Sequence, residues 1–195
     1  MSKRIALLSA VAFSALALTA SVIAPASAEE KKMMKSELSG EKTVMVGGAA
    51  MFPSKNIIQN AVNSKDHTTL VAAVKAAGLV ETLEGKGPFT VFAPTNAAFG
   101  KLPAGTVDTL VKPENKATLT KILTYHVVAG KLEASSLTDG KKLKTVEGEE
   151  LTVKHSGDKV MIVDAKGGSS TVTIANVNQS NGVIHVVDTV LMPAS

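Results

Sequence analysis

The sequence predicts an α+β domain in which helices and antiparallel strands are segregated along the chain. Apolar residues recur at helical spacing between residues 54 and 123, whereas segments rich in Val, Ile and Thr follow between 142 and 191. Gly-containing turns separate these later segments, which is the pattern of antiparallel hairpins. An earlier strand at 89–92 lies within the helical half, so strands from both halves must meet in one sheet. Segregated elements favour α+β over a doubly wound sheet.

The first 28 residues have the pattern of a secretory signal peptide. Lys3 and Arg4 form a positive head, residues 5–24 are apolar apart from Ser and Thr, and small residues lead up to Ala28. We expect cleavage near Ala28 and a mature chain that is secreted, extracellular or periplasmic. The alternative is an uncleaved membrane anchor, because about 20 apolar residues can span a bilayer. We expect no other membrane association.

Residues 29–53 are predicted to form a flexible N-terminal segment ahead of a domain at 54–193. Residues 44–52 of that segment are small and apolar, and we expect them to lie against the domain as an edge. Ser54 is expected to cap the first helix and Asp66 the second. Gly78 is expected to end the second helix in the left-handed conformation.

Three more helical segments are predicted before the strands begin. Residues 79–83 form a short helix that Gly85 stops, and a helical turn follows at 106–111. Pro113 suits the first turn of a longer helix. The apolar stripe of that helix consists of Leu119, Ile122, Leu123 and His126. The strands that follow are predicted at 142–146, 151–155, 159–163, 171–177 and 183–191.

Composition and charge exclude several classes of protein. The chain has 195 residues, 45% of them hydrophobic and 19% charged, which suits one globular domain. It has no Cys, which excludes thiolate catalysis, Cys-ligated zinc and iron–sulfur clusters. Removing Lys3 and Arg4 from the 21 basic residues leaves 19 lysines, no Arg, and 17 acidic residues. We therefore expect no nucleic acid partner, no cofactor and no metal.

Three motifs contain residue combinations that helix and strand patterns alone do not explain. The first, residues 90–99 (TVFAPTNAAF), runs from a strand into a helix. The second begins at Tyr125 and His126, and the third, residues 181–188 (NGVIHVVD), opens the last strand. The motif residues that we expect to be structural are Thr90, Phe92, Pro94, Thr95, Asn96, Phe99, Asn181, Gly182, His185 and Asp188.

In this order and separation, the motifs resemble the two boxes and the intervening Tyr-His motif of the fasciclin (beta-Ig-H3/fasciclin) domain family. The similarity covers about residues 56–193 and is greatest to single-domain bacterial secreted fasciclin proteins. The resemblance implies a wedge of antiparallel strands flanked by several helices. It also implies a non-enzymatic module for cell adhesion or for envelope or matrix interaction. We expect a monomer whose partner is an unknown cell-surface or envelope protein or glycan.

The resemblance also bears on the binding site. In animal members the Tyr-His region and an Asp-Ile pair before the second box have been linked to integrin binding. Here Asn176 and Val177 stand where that pair falls, so integrin recognition is not expected. Tyr125 and His126 remain the candidate binding residues. The phenol of Tyr125 is expected either to be buried or to sit half-buried with its hydroxyl outward.

Structural roles account for the histidines and aspartates that could otherwise suggest a catalytic site. His126 and His185 lie on apolar faces, so we expect buried imidazoles with both nitrogens paired. The nearest acid–His pairs are Asp66 with His67 and His185 with Asp188. Helix capping and strand-end hydrogen bonding explain the two aspartates, and no catalytic residue is predicted. An alternative function is a periplasmic carrier that holds a small apolar ligand between helices and sheet.

Overall fold

The structure is a computed structural model that describes residues 42–194. The predicted signal peptide, the cleavage site near Ala28 and residues 29–41 lie outside the described residues. Between residues 42 and 194, no helix is long and apolar enough to cross a membrane.

Six α-helices and nine β-strands make up this part of the chain. The helices are α1 (Ile57–Ala61), α2 (Thr68–Ala77), α3 (Val80–Glu84), α4 (Asn96–Gly100), α5 (Thr106–Leu110) and α6 (Lys116–Tyr125). The strands are β1 (Val44–Val46), β2 (Ala49–Met51), β3 (Phe89–Pro94), β4 (Val127–Ala129), β5 (Lys142–Lys144), β6 (Glu150–Ser156), β7 (Lys159–Val163), β8 (Ser169–Gln179) and β9 (Gly182–Val187). Short 3₁₀ turns lie at Lys65–His67, Pro113–Asn115 and Ala134–Ser136.

Seven strands form one sheet in the order β4-β3-β9-β8-β7-β6-β5. The α+β wedge that the sequence predicts is confirmed, with one difference in strand direction. Strands β3 and β9 run parallel, and Phe92 lies opposite His185. A parallel pair needs a long crossover, and here the intervening helices and strands supply it. The outermost strands β4 and β5 also approach each other through a bridge between Val128 and Thr145, so the sheet curls toward closure.

Two apolar cores lie on opposite faces of the sheet, because side chains alternate along each strand. The first core packs the helices and the β1–β2 hairpin against one face, where Val91 and Ile184 contribute. The second core fills the inside of the curled sheet, where Phe92 and Val187 contribute. Consecutive residues along β3, and likewise along β9, therefore face different cores.

The β1–β2 hairpin belongs to the packed domain. Val46, Ala49 and Met51 are 2–4% exposed and lie in the first core. At the hairpin turn, the carbonyl of Gly47 accepts a hydrogen bond from the amide of Lys65 at 3.2 Å. The predicted edge at 44–52 is thus a hairpin. The domain boundary predicted at Ser54 lies too late in the chain, because the hairpin's apolar side chains complete the core.

Two predicted helix caps are wrong. Asn56, not Ser54, caps α1: its Oδ1 accepts from the amide of Gln59 at 2.8 Å, and Gln59 Oε1 accepts in return. Asp66 lies in a 3₁₀ turn ahead of α2 and does not cap that helix. A tertiary contact replaces it, because Asn96 Oδ1 accepts from the amide of Thr69 at 3.0 Å. The other end agrees with the prediction, since Gly78 follows α2 with a φ of 72°.

Candidate functional site

His126, at the end of α6, is a buried and fully paired imidazole. It is 2% exposed, its Nδ1 lies 2.8 Å from the carbonyl oxygen of Ile122, and its Nε2 accepts from the amide of Leu191 at 3.0 Å. Because a carbonyl can only accept, the proton sits on Nδ1 and the ring is neutral. Burial lowers the pKa of His126 to about 4. The ring joins α6 to the segment after β9 and has no face for a partner, which contradicts the predicted binding role.

His185 plays the equivalent part in the middle of β9. It is fully buried, and its Nε2 lies 2.7 Å from the carbonyl oxygen of Leu132. Its Nδ1 accepts from the amide of Asn176 at 3.4 Å. Asn176 has a φ of 57°, in the left-handed region, where the β8–β9 pairing is irregular. The imidazole thus holds a local irregularity of the sheet in place, and burial lowers its pKa.

Tyr125 does not reach the surface. The residue is 0% exposed, and its hydroxyl oxygen accepts from the amide of Ala165 at 2.9 Å. The hydroxyl also lies 3.5 Å from the carbonyl of Glu150, to which it can donate. Burial, with smaller contributions from nearby carboxylates, raises the pKa of Tyr125. Of the two placements that the sequence left open, the structure shows the buried one, in which the hydroxyl bonds the backbone at the start of β6 and just after β7.

The first motif supplies hydrogen bonds between elements. Thr90 Oγ1 donates to the carbonyl of Gly130 at 2.6 Å and accepts from the amide of Leu132 at 2.8 Å. Thr95 caps α4, because its Oγ1 accepts from the amide of Ala98 at 3.2 Å. Asn96 anchors the start of α2 as described above. The remaining members are buried: Phe92, Pro94 and Phe99.

The third motif ties the last strands to the helices. Asn181 Oδ1 accepts from the amide of Ile57 at 3.1 Å, and its Nδ2 donates to the carbonyls of Leu83 and Gly85. Gly182 lies against the backbone of Phe89 so closely that a Cβ atom would overlap that carbonyl. Asp188 Oδ1 accepts from the amide of Thr171 at 2.9 Å.

The structure does not assemble a catalytic constellation from these residues. The carboxylate of Asp188 engages Thr171 and Lys101, while both nitrogens of His185 engage backbone groups. Ser64 Oγ lies 2.9 Å from His67 Nδ1, but both residues are buried, at 2% and 3% exposed. Within residues 42–194, no group of three or more His, Asp or Glu side chains is placed to hold a metal ion. The Ser64–His67 contact was missed by sequence reasoning, and its only signal is the i, i+3 spacing on a helical turn.

The part of the chain between residues 42 and 194 has several concave features, of which two bear on function. One is a largely enclosed cavity of about 40 Å³ between the helices and the sheet, which His67 lines. The other is an open groove of about 450 Å³ between β4 and β5, where the strands diverge past the Val128–Thr145 bridge. The groove is lined by Val128, Ala129, Leu132, Lys141, Lys142, Leu143, Lys144 and Thr145.

The curled sheet, its flanking helices and the buried motif side chains define a fasciclin-type α+β module. The chain belongs to the fasciclin domain family, since the model of the Fasciclin domain matches residues 65–193. That family includes adhesion-related surface proteins. The β1–β2 hairpin and α1 precede the matched range.

Several relatives and one solved structure support this assignment. Protein sll1483 of Synechocystis sp. is 50% identical over 153 residues, which are 78% of this chain and 82% of the relative. The immunogenic protein MPB70 of Mycobacterium bovis is 40% identical, over 68% of this chain and 66% of its own length. The cell surface glycolipoprotein MPB83 of M. bovis is also 40% identical, over 76% and 64%. A FAS1 domain pair from the insect cell adhesion molecule fasciclin I has the same fold, with a TM-score of 0.65, 17% identity, and coverage of 72% of this chain and 52% of that chain.

Proposed function

We propose that the protein is a secreted or surface-associated, non-enzymatic binding module that contributes to adhesion or to contacts with an envelope or matrix partner. The observation that carries this proposal is the groove between β4 and β5, a concave surface with three lysines beside the apolar side chains of Ala129 and Leu132. The name of the relative MPB83, a cell surface glycolipoprotein, supports the location. The signal-peptide pattern of residues 1–28 supports export.

The chemistry of the groove favours an anionic, extended partner. Lys142 and Lys144 are exposed, while Leu143 between them is buried, as expected for alternation along β5. Lys142 pairs with Glu150 at 3.2 Å, and both side chains are more than half exposed, so a partner carboxylate can compete for that lysine at little cost. Lys141 is oriented by a 2.6 Å hydrogen bond to the carbonyl of Ser136.

The accessible apolar side chains of the groove decide between partner classes. Ala129 is exposed and Leu132 is half-buried, whereas Val128 and Leu143 of the same lining are buried in the second core. An acidic polypeptide segment in extended conformation presents both carboxylates and apolar side chains at strand spacing. A polysaccharide offers charge without apolar side chains. We therefore infer that the partner is an acidic segment of an envelope or surface protein.

Binding of the full-length protein to envelope preparations from its own host tests the proposal. Two exposed ion pairs are worth about 0.2–1 kcal/mol each, so Lys142→Gln/Lys144→Gln is expected to weaken binding by about 2- to 30-fold. The matched control is Lys154→Gln/Lys159→Gln, which removes the same charge elsewhere in the sheet. Both control lysines are exposed, and Lys159 lies opposite Ser156, about 20 Å along β6 from the Glu150 end.

The outcomes separate the possibilities. Selective loss in the groove variant, together with weaker binding at high salt, supports the proposal. Equal binding by both double variants contradicts it. Protease treatment of the envelopes is expected to abolish binding, whereas sensitivity to glycosidase alone indicates a glycan partner and overturns the choice of polypeptide.

A second candidate function is the carriage of a small apolar ligand. The observation that favours it is the cavity of about 40 Å³, which lies between helices and sheet and is lined almost wholly by apolar side chains. Native mass spectrometry of protein purified from its own host tests this function. A copurifying small molecule supports carriage, and a bare mass in every preparation contradicts it.

A further inference from the structure

Strand β5 is an edge of the seven-stranded sheet, and part of its backbone points away from its neighbour β6. On the β6 side, the amide of Thr145 donates to the carbonyl of Glu149 at 3.0 Å. Bonded and non-bonded residues alternate along an antiparallel pair, so the backbone N–H and C=O groups of Lys142 and Lys144 face outward. Neither of these two amides donates a hydrogen bond to any group within residues 42–194.

The opposite wall of the groove does not occupy this edge. Strands β4 and β5 are joined at the bridge between Val128 and Thr145. In the same register, Ala129 comes opposite Lys144, but no hydrogen bond joins these two backbones in the described part of the chain. The open groove lies between them. The outward backbone of β5 is therefore available to another strand.

The side-chain directions along β5 define what an added strand must carry. Lys142 and Lys144 are exposed, whereas Leu143 between them points into the second core. Residues directly opposite each other on paired strands have Cβ atoms about 4.5–5.5 Å apart. An added strand therefore places two residues, two positions apart, beside the lysine side chains. The residue between them points to the inner side, where the half-buried Leu132 lines the groove.

The charges on this edge favour an acidic strand over a second copy of the chain. Lys144 makes no ion pair with any residue between 42 and 194, and Lys142 pairs with the exposed Glu150. Opposite charges on directly opposed residues stabilise paired strands, whereas like charges destabilise them. Pairing of β5 with β5 of a second copy would bring lysines next to lysines, which is a common device against self-association of sheet edges.

We propose that the partner binds by strand addition, in which an extended segment with the pattern acidic–apolar–acidic pairs through its backbone with Lys142 and Lys144. This inference rests on the proposed function and adds how the partner is held. Main-chain hydrogen bonds supply affinity and register, and the alternating side chains supply specificity. Each acidic residue lies opposite one lysine and exchanges both backbone hydrogen bonds with it. The apolar residue enters the groove beside Leu132.

The test uses the full-length protein with the synthetic peptide acetyl-Thr-Glu-Val-Glu-Thr-amide as the probe. Chemical shifts and hydrogen-exchange rates of the Lys142 and Lys144 amides are followed by NMR during the titration. A second peptide is N-methylated at its first glutamate, which removes a donor that faces β5 and places a methyl group against that edge. The matched control is N-methylated at the valine, whose amide faces away from β5.

We expect saturable shifts and slower exchange of both lysine amides with the unmodified peptide. Methylation of the glutamate is expected to weaken binding at least about tenfold, because a backbone hydrogen bond is lost and the strands are held apart. Methylation of the valine is expected to change the affinity much less. Non-saturating shifts overturn the proposal, as do equal losses with the two methylated peptides.

A pair of protein variants tests the same edge from the other side. Lys142→Gln removes the charge alone, whereas Lys142→Pro also removes the outward N–H and keeps the bonds between β5 and β6. The affinity of Lys142→Pro for the peptide is expected to lie about fivefold or more below that of Lys142→Gln. Equal affinities in the two variants, with wild-type urea midpoints, contradict strand addition. If Lys142→Pro does not fold, the methylated peptides decide the question with the wild-type protein.

The results also distinguish this inference from the proposed function. If Lys142→Gln/Lys144→Gln loses envelope binding but both methylated peptides bind equally, the proposed function stands and strand addition is rejected. If the peptide pairs with β5 but envelope binding does not depend on the two lysines, the site is upheld and the envelope partner is rejected. A dimer in sedimentation analysis that the peptide dissociates would identify a second copy as the occupant and overturn the proposal.

Discussion

The ring of Phe92 and the imidazole of His185 lie 5.7 Å apart between centroids and are nearly parallel, at 26°. The two residues are also opposite each other on the parallel strands β3 and β9. One belongs to the first motif and the other to the third, 93 positions later in the chain. The contact therefore joins two distant motifs in the centre of the sheet.

Phe92→Ala is expected to lower the free energy of unfolding by about 3–5 kcal/mol. Removing this fully buried ring leaves a cavity and also removes the stacking contact with His185. Urea unfolding followed by circular dichroism measures this loss. Val146→Ala, at a side chain that is 46% exposed, is the control and is expected to change stability by less than about 0.5 kcal/mol. Similar losses in both variants would contradict a central role for Phe92.

His126→Ala and His185→Ala are each expected to cost about 1–3 kcal/mol of stability, because each substitution leaves buried backbone groups unpaired. The control is His155→Ala, whose imidazole is exposed although its Nε2 contacts the carbonyl of Leu137. The urea midpoints of the two core variants and of the control measure this difference in stability. If both core variants keep the wild-type midpoint, the imidazoles are not structural.

Stability is expected to fall as the pH drops from about 6.5 to 4. The folded-state pKa of His126 lies near 4, below the ordinary 6.5, because burial disfavours the charged ring. In this window the unfolded chain binds a proton that the folded chain does not, so acidification favours unfolding. His126 alone contributes roughly 3 kcal/mol to this loss, and the lowered pKa values of His67 and His185 act in the same direction.

Urea unfolding at pH 7.5, 6 and 4.5 measures this dependence. His126→Gln has no titrating ring, so its stability is expected to change less over the same range. A wild-type stability that stays constant down to pH 4.5 is incompatible with neutral, buried imidazoles.

Asn181→Ala is expected to destabilise the domain by at least about 2 kcal/mol, because its amide satisfies the N–H of Ile57 and the carbonyls of Leu83 and Gly85. Asn63→Ala, at an exposed amide that donates to the carbonyl of Gln59, is the matched control. Thermal unfolding distinguishes the two. A loss no larger than that of the control would mean that water replaces these bonds.

Gly182→Ala is expected to cost more than about 3 kcal/mol, since the added methyl overlaps the carbonyl of Phe89 on the neighbouring strand. Gly100→Ala is the control, because a Cβ at that helical position meets nothing within 4 Å. Alanine there is expected to be neutral or slightly stabilising. Soluble yield and urea midpoints provide the comparison, and wild-type stability of Gly182→Ala would show that β3 and β9 can separate.

Sequence periodicity was sufficient for most elements of the fold. The stripe of α6, the hairpin strands β6 and β7 and the left-handed Gly78 follow from local rules and are present. The cap at Ser54 failed because the first helix begins two residues later, after Asn56, and the cap at Asp66 failed because Asn96 takes the amide of Thr69. The parallel pairing of β3 and β9 could not be predicted, because the relative direction of two strands depends on the path of the chain between them.

The site was less predictable than the fold. A Tyr at a helix end reads the same in sequence whether its hydroxyl meets water or the amide of Ala165, which is 40 positions away. The groove was also missed, because Lys142 and Lys144 resemble an ordinary solvated strand until β4 is placed beside them. The burial of His67 beside Ser64 was also missed, because the sequence shows this histidine only next to Asp66.

The hydrogen bond from the Leu191 amide to His126 spans 65 residues, and the same segment is held by Asp164 and Glu149 through the amides of Met192 and Ala194. A growing polypeptide on the ribosome cannot close this link until residue 191 has been synthesised. The contacts of residues 191–194 therefore form late in synthesis, and the domain closes only after this segment has been made.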